Sequence, residues 1–152
     1  MLPQLQRLCL QAAAVAMVAV TATLAGCARE ESPETQVRAL VAAGEAAAEE
    51  RDLAGVLEHV SAAFRDANGG GRDELKQYLR GYFVMHPSVH LLTRVESIEF
   101  PYRDYARVQL KVGMLGREAA GATSLDFAAD VKEIVLELAL EDDEWKVVRA
   151  AW

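Results

Sequence analysis

The sequence predicts an α+β domain in which helices come first and pack on one face of an antiparallel sheet. Three observations carry that expectation. Apolar residues recur at helical spacing as far as Pro87 and with period two after it. The last two strand-like segments are joined by the acidic tetrapeptide Glu141-Asp142-Asp143-Glu144. The chain has 152 residues, room for one domain of ordinary size.

The first element is a leader. Met1 to Arg7 offers one positive side chain besides the amino terminus, and Leu8 to Ala25 is an apolar, alanine-rich run. That is the pattern of a secretory signal peptide. Its alanines, with Gln11, Thr21 and Thr23 among them, give less insertion energy than a leucine-rich span would. The run ends in Leu24-Ala25-Gly26-Cys27, which resembles the bacterial lipobox. The resemblance implies a diacylglyceryl group on the Cys27 thiol, cleavage between Gly26 and Cys27, and acylation of the new amino terminus. Two or three acyl chains hold a protein stably on a bilayer. An uncleaved helical anchor, or an ordinary signal peptide cut near Ala25 or Gly26, are the alternatives. Ala28 stands where an Asp favours inner-membrane retention in enterobacteria, which points to the outer membrane of the cell envelope, facing the periplasm. The expected organisation is a leader over 1–26, a lipidated cysteine with a short polar tether over 27–33, and a folded domain over 34–152.

Cleavage there has consequences for composition. The chain holds 16 Lys+Arg against 23 Asp+Glu, and only Arg7 lies in the leader, so the mature part keeps 15 basic and 23 acidic side chains. That balance opposes binding to nucleic acid and a polybasic grip on anionic lipid. The two cysteines are Cys9 and Cys27, so a mature chain has one cysteine and no internal disulfide.

In the folded part, Ser32-Pro33-Glu34 reads as a helix start. Val37, Leu40, Val41, Gly44 and Ala48 then follow at helical spacing to about Glu50. Asp52 can cap a shorter helix with Leu53, Val56, Leu57 and Val60 on its apolar face. Ser61 to Ala67 reads equally as an extension of this helix or as a short strand, and Asn68-Gly69-Gly70-Gly71 is a loop. Leu75, Tyr78, Leu79, Tyr82 and Phe83 form the stripe of a third helix, with Asp73 and Glu74 at its start and Pro87 closing it. His90 to Phe100 is a strand and Pro101-Tyr102-Arg103-Asp104 a turn. Ala106 to Met114 alternates as a half-buried strand, and Gly116 to Ser124 is a loop of small residues. Ile134 to Leu140 and Trp145 to Trp152 complete the sheet.

That order, with Asp142-Asp143-Glu144-Trp145-Lys146-Val147-Val148 leading to Trp152, resembles the nuclear transport factor 2-like superfamily, including SnoaL-like proteins. His86-Pro87-Ser88-Val89-His90 is similar to lipoproteins of that superfamily. The resemblance spans about Glu34 to Trp152 and implies a curved sheet wrapped around helices as a cone with a pocket at its open end. Ketosteroid isomerases of the superfamily use a pocket aspartate and an oxyanion hole of tyrosine and protonated aspartate. No such set can be placed here: Asp104 is in a turn, Asp130 beside Lys132, Asp142 and Asp143 in the hairpin, which leaves Asp126.

Candidate pocket residues are Tyr78, Tyr82, Phe83, His86, His90, Trp145 and Trp152, although an aromatic stripe at helical spacing also suits a core. Arg94 and Glu96 are expected to face solvent. His86 and His90 flank a helix-to-strand junction and His59 is distant, so no metal set is expected. Asn68-Gly69-Gly70-Gly71-Arg72 lacks the lysine and hydroxyl of a phosphate loop. No cofactor motif occurs. The expectation is an envelope lipoprotein, without catalysis, that binds a small apolar ligand or a partner protein. The alternatives are an isomerase, dehydratase or hydrolase acting on a small hydrophobic substrate, with a tyrosine or histidine as acid or base, and a homodimer formed through the sheet.

Overall fold

Ser32 opens the first helix, α1 (Pro33–Glu49), by accepting a hydrogen bond from Thr35 N at 3.2 Å, and Pro33 follows where a helix needs no N–H donor. The structure, a computed structural model, describes residues 31–114 and 130–152, and Ser32–Trp152 form one compact unit. The leader, Cys27, Asp126 and the loop expected over Gly116 to Ser124 lie outside the described residues. Among the described residues no helix is long and apolar enough to cross a membrane.

α1 is followed by α2 (Leu53–Glu58), β1 (Val60–Asp66), α3 (Arg72–Met85), β2 (Leu91–Tyr102), β3 (Tyr105–Met114), β4 (Asp130–Glu141) and β5 (Glu144–Ala151). One five-stranded sheet runs in the order β1-β5-β4-β3-β2. The four later strands pair antiparallel, whereas β1 lies parallel to β5 at the far edge. The ambiguity over Ser61 to Ala67 therefore resolves as a strand. Val60, expected on the second helix, instead begins β1, because Val147 N donates to the His59 carbonyl at 2.8 Å and draws the chain into the sheet.

The expected turn at Pro101 is also later than foreseen. β2 runs through Pro101 to Tyr102, leaving Arg103 and Asp104 as the turn. β2 is an edge strand, where a residue without an N–H need not break a ladder. Arg94 and Glu96 are exposed on it.

Bulges curve the sheet. In β2, Val95 pairs with Leu110 and Ser97 with Gln109, so Glu96 is the extra residue. In β5, Val148 is extra between Val147, opposite Leu138, and Arg149, opposite Glu137. The helix-covered face carries Val108, Leu110, Leu138, Trp145, Val147 and Ala150. These pack with Phe64 and with Val37, Leu40 and Val41 of α1. Full burial of each large aliphatic or aromatic side chain here stabilises the fold by about 1.5–3 kcal/mol. On the opposite face the register aligns Glu99, Arg107, Glu137 and Arg149 across four strands, an alternation of charge that suits water.

Two arginines fasten the helices. Arg51 donates to Phe83 O at 2.7 Å and to Pro87 O at 3.2 Å, satisfying carbonyls at the end of α3. Arg72 does the same for Leu57 O at 2.9 Å and Val60 O at 3.2 Å beyond α2. Trp145 Nε1 donates to Gln36 Oε1 at 3.0 Å and joins β5 to α1.

Candidate functional site: an apolar cavity under the first helix

Between the helices and the covered face of the sheet lies an apolar cavity of about 290 Å³ that opens to solvent. Leu40, Val41, Gly44 and Glu45 of α1 form one wall, and Leu75 and Leu79 of α3 another. The sheet contributes Leu91 and Thr93, Leu110 and Val112, Ile134 and Leu136, and Val147 and Ala150. Val56, His59, Val60 and Trp152 complete the lining. The alternation of the strands explains this composition, since every second side chain of a half-buried strand faces the helices. Neither lysine nor arginine is among the described lining residues.

Three described lining residues have polar side chains beyond an aromatic ring: Glu45, His59 and Thr93. Glu45 Oε1 accepts from Thr93 N at 3.1 Å, and one turn later Glu49 Oε1 accepts from Leu91 N at 2.8 Å. Both amides belong to the free edge of β2, so α1 lays two carboxylates along that edge. Partial burial pushes the Glu45 carboxyl above its ordinary pKa. The Thr93 backbone bond opposes that push, and the nearby Glu49 charge adds to it. Facing outward near His59, Glu144 is held below the usual carboxylate range by the Lys146 ammonium at 2.6 Å, with a smaller contribution from His59.

Of the residues expected to line a pocket, Trp152 borders this cavity. The others stand elsewhere. Tyr78 is 62% exposed on α3. Tyr82 lies between its neighbours, with ring centroids 6.3 Å from Tyr78 and 4.2 Å from His86, and its hydroxyl is 3.5 Å from Met114 Sδ. Burial raises the Tyr82 phenol pKa, so it remains a hydroxyl at neutral pH. Phe83 is in the core, His86 and His90 are exposed, and Trp145 is buried against Phe100 with centroids 5.9 Å apart. No cluster that could hold a metal occurs among the described residues. Spacing had pointed to the aromatic stripe of α3. The residues it passed over are the aliphatic ones of the strands and Gly44. The signal for Gly44 is a glycine on an otherwise buried helical stripe.

A second hollow, of about 710 Å³, is an open surface depression over Asn68–Gly71. Its amides are already engaged. Asn68 N and Gly70 N donate to Asp66 Oδ1 at 2.8 and 2.7 Å, and Gly71 N donates to Glu74 Oε2 at 2.9 Å. Arg65 and Arg72 also line the hollow, but Arg65 donates to Phe64 O at 2.6 Å and Arg72 to Leu57 O and Val60 O, and Asp73 and Glu74 set carboxylates beside them.

The shape is that of known proteins. Solved structures similar to this chain include an NTF2-like protein of unknown function from Shewanella oneidensis, at TM-score 0.57 and 17% identity, covering 79% of this chain and 98% of that one. A protein of unknown function with a cystatin-like fold from Nostoc punctiforme has TM-score 0.59 and 15% identity, covering 78% and 87%. A ketosteroid isomerase-like protein from Erwinia carotovora atroseptica has TM-score 0.55 and 15% identity, covering 77% and 92%. No protein-family model matches the chain. No curated protein matches it either. The fold is thus the nuclear transport factor 2-like cone, helices on a curved five-stranded sheet.

Proposed function

We propose that this domain binds a small, neutral, apolar molecule in the cavity under α1, and that the chain is held on a bacterial envelope membrane by lipid on Cys27. One observation carries the ligand class: aliphatic side chains wall the cavity from both helices and sheet, and its described lining has neither lysine nor arginine. Such walls reward apolar area and offer an anion only His59 and Thr93 as polar partners, while the Glu45 carboxylate repels it. The ketosteroid isomerase-like name of one structural neighbour fits an apolar ligand for this shape. The lipid anchor rests on Leu24-Ala25-Gly26-Cys27 and the leader before it.

A second reading, an enzyme on a small hydrophobic substrate, is favoured by the raised pKa of Glu45 beside an apolar cavity. Binding without catalysis is preferred because the Glu45 carboxylate is already hydrogen-bonded by Thr93. Purification of the full chain from its host, followed by solvent extraction and mass spectrometry, tests the reading. A neutral apolar compound in stoichiometric amount is expected, and it should be depleted from a Leu136→Glu variant that remains folded. An anionic compound, or equal recovery from the variant, overturns the ligand class. For the anchor, Cys27→Ser should abolish acylation and membrane attachment; an unchanged mass and location would sink it.

A further inference from the structure

We propose that Gly44 sets how large an apolar group the cavity can enclose, an inference that rests on the binding role proposed above. Val37, Leu40, Val41 and Gly44 lie at successive steps of one helical stripe, and the first three are 0, 9 and 9% exposed. At the fourth step the side chain is missing. A Cβ built at Gly44 would find no heavy atom within 4 Å, and Gly44 is itself part of the cavity wall. The cavity is therefore continuous with the volume that a larger residue at this step would fill.

Neither of the usual reasons for a helical glycine applies. Close packing is absent, in contrast to Gly55, where a Cβ would come within 2.5 Å of Asp52 Oδ2. A left-handed backbone is absent too, for Gly69 alone among the described glycines has positive φ, at 89°. The surrounding segment is Ala42-Ala43-Gly44-Glu45-Ala46-Ala47-Ala48, so the helix-stabilising choice occupies five of the seven positions and is missing where the cavity lies. Gly81 of α3 has open space as well, but it is exposed to solvent.

The volume bounds the part of a ligand that the walls enclose. A dry cavity of about 150 Å³ holds benzene. By proportion, about 290 Å³ admits roughly ten to twelve non-hydrogen atoms. A leucine side chain at this step adds four carbons, a third of that capacity.

The test compares the full chain with its Gly44→Ala and Gly44→Leu variants, each held in lipid nanodiscs. Benzene and naphthalene are the probes, and methyl resonances of Leu40, Val41 and Leu136 are the readout. Those methyls report the cavity even where the probe also partitions into lipid. Naphthalene affinity should fall by at least about tenfold in Gly44→Leu, while benzene binding stays within about threefold. Gly44→Ala should melt roughly 3 °C higher than the parent, since a better helix former is added into empty space. Naphthalene binding unchanged in a folded Gly44→Leu overturns the role of Gly44 and leaves ligand binding intact. A lower melting temperature for Gly44→Ala overturns it too, because the space is then not empty. A parent chain that binds neither probe refutes the binding role instead, whatever the variants do.

Discussion

Glu45 shows how one side chain joins the stability of the fold to its cavity. Its folded-state pKa is raised, chiefly by desolvation. A carboxyl raised in this way contributes stability that is fully present below its unfolded pKa and is lost as the pH rises through the folded value. Glu45→Gln keeps an acceptor for Thr93 N and removes the titration. Between about pH 4 and pH 7 the melting temperature of the parent should therefore decline relative to that of Glu45→Gln. Parallel curves in thermal melts at several pH values would contradict the assignment. Trp145 makes a simpler case: Trp145→Phe gives up the bond to Gln36 and part of the ring, a loss of about 1–2 kcal/mol in urea unfolding. A loss below about 0.5 kcal/mol would mean that Gln36 finds an equally good partner.

The elements divide by how much of each was legible in the residues. The last hairpin was plain, since an acidic pair between two alternating runs is a turn signal. Asp142 and Asp143 both take positive φ, at 49° and 66°, as a two-residue primed turn demands. Asp143→Gly should accordingly stabilise the chain by about 1 kcal/mol in urea unfolding, and destabilisation would mean that the Asp143 side chain holds the turn. β2 was harder to read. Leu91, Thr93 and Val95 face the helices, but after the bulge at Glu96 the inward positions become Ile98 and Phe100, so the alternation changes phase inside one strand. β1 was ambiguous because its parallel partner, β5, lies far along the chain, and nothing local announces that pairing. The edge of β2 holds a further expectation. Glu45 and Glu49 cover the amides of Thr93 and Leu91, so Glu49→Ala should speed hydrogen exchange at Leu91 more than at the ladder-bonded amides of β3. Equal exchange before and after the substitution would show that the carboxylate does not protect the edge.

At the scale of the molecule, helical and strand periodicity were enough to reach helices packed on an antiparallel sheet, because each period reports the face an element buries; the cone itself was implied by the resemblance carried by the last hairpin. The cavity was less legible. It arises from five strands and three helices that meet only in the fold, and its most telling residue is a missing side chain. The aromatic stripe Tyr78, Tyr82 and Phe83 suits a pocket or a core, and the structure puts Phe83 in the core, Tyr82 against Met114 of β3 and Tyr78 in solvent. Charge is partitioned in the same sense, with the helix-covered face aliphatic and the opposite face crossed by Glu99, Arg107, Glu137 and Arg149. The central claim, that the cavity holds a neutral apolar molecule, is tested most directly by titrating the full chain in lipid nanodiscs with naphthalene and then with naphthoate. Methyl groups of Leu40, Val41, Leu136 and Val147 serve as reporters. Saturable ring-current shifts with naphthalene, and affinity at least about tenfold weaker for the anion, are the predicted result. Equal binding of the two, or shifts confined to residues outside the cavity, would contradict it.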